Sequence, residues 1–166
     1  MGTLNTIMSV SGDTGTQSGG QVMSNRTGAT TSAGSVGFQD TLQTDTGGGG
    51  DTSLLAAMAN VVAATTAYIK LGRVGVWAEA GVADDGTGKF IMGEGVICKI
   101  RVDGGTDIVK GDALIAVNGA NYLAKTTTAS ARYHAIALEA ETNAVDVSTW
   151  RPILCILYSE GRTLGL

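Results

Sequence analysis

The sequence predicts an all-β protein, a small antiparallel β-barrel or sandwich body with one short helix and a long extended N-terminal arm. Residues 96–102 alternate between apolar and polar side chains, as a half-buried strand does. The Asn118-Gly119 pair between two apolar runs is a strong signal for a hairpin. A sharp change of composition near residue 53 separates a Gly-, Ser- and Thr-rich stretch from a more apolar remainder.

Residues 1–53 are predicted to form the extended arm and a hinge, and residues 54–166 the β-rich body. In the arm 12 residues are Gly and 18 are Ser or Thr, without apolar periodicity. Such a stretch buries too little apolar surface to offset ordering, which costs about 1–2 kcal/mol per residue for the backbone. Isolated apolar residues would be its contacts with a partner: Ile7, Val10, Val22, Met23, Val36, Phe38 and Leu42.

The helix is predicted between Asp51 and Thr66. Asp51, Thr52 and Ser53 offer N-cap oxygens. The apolar residues that follow recur at helical spacing, and they are Leu54, Leu55, Met58, Val61 and Val62. A β-strand over 61–66 stays open as an alternative, because Val and Thr are β-branched.

From residue 67 onward, short apolar runs separated by Gly, Asn and Asp turns predict the strands of the body. Val96, Cys98, Ile100 and Val102 would share the buried face of one strand. Asn118-Gly119 would form a type I′ turn with positive φ at both residues. The predicted strands are 68–80, 89–92, 96–102, 113–117, 122–125, 132–139 and 153–158.

Composition and motifs indicate that the chain is not an enzyme and has no catalytic, cofactor-binding or metal-binding residues. Residues 83–90 fail the phosphate-loop pattern, since Ala83 and Phe90 stand where Gly and Ser or Thr are required. The single histidine, His134, lies within a predicted strand and is interpreted as structural. Cys98 and Cys155 lie in apolar strands and are predicted to be free, buried thiols.

The charge of the chain argues against two classes of partner. Only 16% of the residues are charged, and the net charge is −4. Nucleic acids and anionic membranes are bound by clustered Lys and Arg, so neither is expected as a partner.

About a third of the chain resembles small head decoration proteins, or capsid cement proteins, of tailed phages. Residues 109–114 (VKGDAL) match a Gly-Asp turn that leads into a hairpin. Residues 122–125 (YLAK) follow, and then residues 134–140 (HAIALEA), where Ala135 stands in place of a frequent Gly.

The resemblance implies a structural virion protein that binds the outer surface of an icosahedral phage head. It would stabilise the head by bridging subunits of the major capsid protein, and it would assemble as a homotrimer. The chain would be made in the host cytoplasm and end on the head surface of the virion. The alternative is another structural virion component, associated with the tail or a fibre, or a surface adhesion module.

Overall fold

The computed structural model describes residues 8–9, 17–18, 20–42, 59–128, 131–142 and 152–163. These ranges form a closed five-stranded barrel, a second five-stranded sheet and one short helix. A two-stranded ribbon joins β1 (Met8–Ser9) to β2 (Gln17–Ser18). The predicted all-β class, with a barrel and one short helix, is confirmed.

The barrel closes in the strand order β3-β5-β4-β6-β7, with β7 paired to β3. β3 and β5 are parallel, and the other neighbours are antiparallel. Closure leaves no open sheet edge among these strands. They are β3 (Gly20–Arg26), β4 (Val36–Gln39), β5 (Asn60–Val62), β6 (Arg73–Trp77) and β7 (Thr87–Ile91).

The prediction of an arm without a core is wrong for residues 20–42, because this stretch supplies two of the five barrel strands. β3 pairs with β7 and β5, and β4 pairs with β6 and β5. The paired residues are 22 to 71 positions apart in the sequence, so local composition does not reveal the pairing. The glycine run at 47–50, predicted as a hinge, lies outside the described residues.

Two glycines make room for large side chains inside this small barrel. Gly37 and Gly75 are directly opposed on β4 and β6. A Cβ atom on Gly37 would lie 2.4 Å from Val61 Cγ1, and one on Gly75 would lie 2.3 Å from Phe90 Cε1. Glycine is therefore required here for packing, where composition alone suggested flexibility. The resulting cluster contains Met23, Val61, Trp77, Val82 and Phe90.

We expect Gly75→Ala to destabilise the fold by about 1–3 kcal/mol, the usual cost of overpacking a core. The added methyl would also lie 2.6 Å from the Ile91 carbonyl oxygen, which is backbone and cannot easily move. Gly20→Ala is the matched control, since the three atoms nearest to its Cβ would all belong to the flexible Lys89 side chain. Urea denaturation of both variants measures the difference, and equal midpoints would contradict this account of the barrel interior.

The second sheet has the strand order β10-β9-β11-β12-β8, antiparallel throughout. The inward residues of β8 and β12 pack with barrel residues such as Phe38 and Val74 in one hydrophobic cluster. The barrel and the sheet are therefore joined by a shared core. The strands are β8 (Glu94–Arg101), β9 (Ala113–Ala116), β10 (Leu123–Lys125), β11 (Arg132–Ala137) and β12 (Pro152–Thr163).

The alternation predicted for residues 96–102 is confirmed, with Cys98, Ile100 and Val102 fully buried. The predicted hairpin of β9 and β10 is also present. Its turn is not type I′, because Gly119 has a φ of 73° but Asn118 does not have a positive φ. The connection is longer than two residues, and the Gly119 N–H donates to the Ala64 carbonyl at 2.8 Å, which fixes the turn against the barrel.

The helix lies later in the chain than predicted. Helix α1 spans Thr66–Leu71, where a strand over 68–80 was expected to begin. Asn60–Val62 is strand β5, which agrees with the β alternative for Val61 and Val62. Thr65 caps α1, since its hydroxyl accepts a hydrogen bond from the Tyr68 N–H. The earlier part of the predicted helix, residues 51–58, lies outside the described residues.

Candidate interaction surface

The outer face of the second sheet carries a row of directly opposed isoleucines. Ile97 on β8 is the Cα partner of Ile156 on β12, which in turn is the partner of Ile136 on β11. With strands about 4.8 Å apart, these three and the next partner, Ala113, span about 14 Å. Side chains at alternate positions of a strand share a face, so the row points away from the buried Cys155 and Leu157.

Further apolar side chains extend this row. Ile97 is 38% exposed, and the remaining apolar side chains of this surface, named below, are partly exposed. Large contiguous apolar patches on a protein surface often mark sites of interaction. We call this surface the isoleucine face, and it consists of Ile97, Ile115, Tyr133, Ile136, Leu154, Ile156 and Tyr158.

One end of the isoleucine face combines aromatic rings with arginine. Tyr133 and Tyr158 meet edge to face, with ring centroids 5.8 Å apart. The Arg162 guanidinium lies 4.3 Å from the centroid of the Tyr158 ring, in a cation–π arrangement. Arg162 also pairs with Glu94 at 3.7 Å. Tyr and Arg are enriched among residues that dominate binding energy at interfaces, so this end is suited to anchor a partner.

The Gly-Asp turn before β9 has a structural role that explains its residues. Gly111 has a φ of 96°, which favours glycine. The Asp112 carboxylate accepts from the Val109 N–H at 2.8 Å and pairs with Lys125 Nζ at 2.8 Å. Burial acts to raise the pKa of Asp112, but the bonds from Lys125 and Val109 outweigh it and leave the pKa lowered. The motif therefore braces β9 against β10 at one side of the isoleucine face.

His134 is a buried part of the core, in agreement with its structural interpretation. Its Nδ1 accepts from the Ala116 N–H at 3.3 Å, and its ring meets Phe38 edge to face at 5.8 Å. Burial, and then the positive charge of Arg132, lowers the pKa of His134 to about 4, although the Ile69 backbone acts in the opposite direction. The imidazole is therefore neutral at pH 7.

Cys98 and Cys155 are free and fully buried, as predicted. They are directly opposed on β8 and β12 and belong to the shared core. Burial raises the pKa of Cys98 to about 12 and raises that of Cys155 further. Both are protonated at neutral pH and behave as small apolar side chains.

The structure separates the predicted contact residues of the N-terminal stretch into three groups. Met23, Val36 and Phe38 are buried, so their prediction as surface contacts is wrong: pairing of β3 and β4 into the barrel turns these side chains into the core. Val22 and Leu42 are exposed and remain available to a partner. Ile7 and Val10 lie outside the described residues.

Sequence reasoning missed the isoleucine face, although a signal for it exists. Residues 153–158 (ILCILY) form a continuous apolar run, and so does much of 133–138. Such runs are typical of strands with apolar groups on both faces, whereas a strand with one wet face alternates. The alternation of β8 between Cys98 and Val102 predicts the buried inner face of the sheet and gives no information about its outer face.

Within the described ranges, no group of three or more His, Cys, Asp or Glu side chains is placed to hold a metal ion. No helix in the described part of the chain is long and apolar enough to span a membrane.

The chain was also compared with known proteins. No protein-family model matches it, and no curated protein matches it significantly.

Proposed function

We propose that the chain is a structural virion protein that binds the outer surface of an icosahedral phage head and stabilises it by bridging major capsid subunits. The observation that carries the proposal is the isoleucine face, an apolar sheet surface that remains partly open to water. Stabilising a shell requires contact area across several subunits and no chemical step. A broad sheet face with an apolar centre suits that task.

The segments that resemble decoration proteins lie together in this sheet. Residues 109–114 lead into β9, residues 122–125 include β10, and residues 134–140 include most of β11. These three strands are neighbours in the order β10-β9-β11. The resemblance thus falls on one structural unit that carries Ile115 and Ile136 of the isoleucine face.

Assembly as a homotrimer belongs to the same proposal, as does location on the virion head. The resemblance implies the trimer, and an apolar face can serve contacts between copies as well as contacts with the shell. The proposed partners are the major capsid protein and further copies of this chain. The burial of His134 and of both cysteines supports a structural role for the residues most often used in catalysis.

We expect Ile156→Glu to weaken binding to phage heads that lack this protein by more than about tenfold. Ile156 lies at the centre of the isoleucine row, and central anchors carry at least about 2 kcal/mol of binding energy. A carboxylate there would have to be desolvated without a partner. Co-sedimentation of the protein with heads at increasing concentration gives the affinity.

Leu71→Glu is the matched control, since Leu71 is an apolar residue 72% exposed on helix α1 rather than on the isoleucine face. Its affinity should equal that of the unaltered protein. A thermal melt of both variants separates loss of binding from loss of folding. Weaker binding of Leu71→Glu alone would move the head-binding surface to helix α1, and no binding by the unaltered protein would contradict the proposed function.

A further inference from the structure

A polar cleft lies between the barrel and the β9–β10 hairpin, apart from the isoleucine face. Its volume is about 420 Å³, within the range of small-molecule sites. Residues of the 27–31 loop line one part of it, and residues 117–122 line another. Trp77 and Val36 of the barrel also line it.

The walls of the cleft are fixed by hydrogen bonds that do not depend on a ligand. The Val36 N–H donates to the Asn121 carbonyl at 2.8 Å, which ties the hairpin to the barrel. The fully buried Asn25 side chain donates to the carbonyls of Ala29 at 2.7 Å and Val82 at 3.0 Å. The cleft is therefore preformed, and a ligand would not have to order it.

The chemistry of the lining selects the kind of ligand. The described residues that line it include no Asp, Glu, Lys, Arg or His, so a charged ligand would find no opposite charge among them. Hydroxyl and amide side chains are provided by Thr30, Asn118 and Asn121, all exposed. The half-buried Tyr122 adds aromatic surface, whereas Trp77 is 1% exposed and offers almost none. Uncharged donors and acceptors beside an accessible aromatic ring suit a neutral polyhydroxylated ligand, which has both hydroxyl groups and apolar C–H faces.

A peptide fits this cleft less well than a sugar does. Extended peptides bind mainly through main-chain bonds to a free strand edge. Here the backbone N–H groups of Val36, Gly119 and Ala120 already donate within the protein. The exposed side chains of Thr30, Asn118 and Asn121 offer hydroxyl and amide groups, which can form hydrogen bonds with the hydroxyls of a sugar.

We propose that this cleft is a binding site for a neutral carbohydrate. A site of this size with few polar contacts implies a dissociation constant on the order of 1 mM for a single short sugar. The site is independent of the isoleucine face, so both surfaces can be occupied at once. Several copies on one particle would then bind a glycan-bearing surface more tightly than one copy does.

The test is saturation-transfer difference NMR on the full-length protein with maltotriose, lactose and N,N′-diacetylchitobiose. At least one of these neutral sugars should give transfer, while glucuronic acid and glucosamine should give none. Thr30→Trp places a large ring at the mouth of the cleft and should weaken binding about tenfold. Thr106→Trp, the same change at an exposed position outside the lining, should leave binding unchanged.

Three results would overturn the proposal. The first is no transfer to any of the neutral sugars, and the second is equal loss of binding in Thr30→Trp and Thr106→Trp. The third is transfer to an uncharged peptide of residues 14–20 (TGTQSGG) without transfer to the sugars, which would replace the carbohydrate by a segment of the chain itself.

Discussion

Phe38→Ala is expected to destabilise the protein by about 3–5 kcal/mol, the cost of removing a large buried aromatic side chain. Phe38 is fully buried between the barrel and the second sheet. Its ring lies 6.0 Å from that of Tyr68 and 5.8 Å from that of His134, measured between centroids. The cavity left by alanine would therefore open in the core that joins the two parts of the fold. Urea denaturation followed by tryptophan fluorescence measures the loss.

Val22→Ala is the control for this change, since Val22 lies in the same N-terminal stretch but is exposed. Its effect should stay within about 0.5 kcal/mol. Phe38→Ala distinguishes a stretch that forms barrel strands from a stretch that forms a surface arm. If residues 20–42 formed a surface arm, Phe38→Ala would leave the denaturation midpoint unchanged and reduce only the attachment to heads.

The protein is expected to lose about 3 kcal/mol of stability through His134 as the pH falls from 6.5 to 4. The pKa of His134 is about 4 in the folded state, against 6.5 for an ordinary histidine. Between these values the unfolded chain binds a proton that the folded chain does not, so acid favours unfolding. The stability is complete above pH 6.5 and falls toward pH 4, with 1.36 kcal/mol for each pH unit between the two pKa values.

His134→Gln provides the comparison, because glutamine stays neutral and its amide oxygen can accept the Ala116 N–H bond. The variant should be less stable than the unaltered protein at pH 7 but should show a flatter decline between pH 6.5 and 4. Denaturation series at several pH values measure both slopes. Parallel slopes would mean that other groups cause the acid sensitivity.

The parts of the fold that could be predicted are those whose pattern is local. The alternation of β8 and the Asn118-Gly119 hairpin depend on residues close in sequence, and both are present. The type of turn could not be predicted, because the Gly119 N–H bonds to the distant Ala64 rather than across the hairpin.

The barrel shows why composition misled for residues 20–42. Gly and small polar residues usually indicate a chain that cannot bury a core. Here Gly37 and Gly75 leave the space that Val61 and Phe90 fill. The apolar content of β3 is low, and its partners β5 and β7 supply Val61 and Phe90 to the core, a relation that appears only after β3 has been paired with the distant β7.

The candidate surface was accessible to sequence reasoning only in part. The continuous apolar run at 153–158 indicates a strand with two apolar faces, but the partners of Ile156 follow from the register of three strands. The carbohydrate cleft had no sequence signal, because the two loops that line it, residues 27–31 and residues 117–122, are far apart in the sequence.

Electron cryomicroscopy of phage heads incubated with the full-length protein tests the central claim most directly. We predict ordered density on the outer surface of the head, with the isoleucine face turned toward the shell or toward another copy and each assembly spanning at least two capsid subunits. Density confined to the tail, or heads without added density at saturating protein, would contradict the proposed function. Density on the head with the isoleucine face open to solvent would contradict the role assigned to that face.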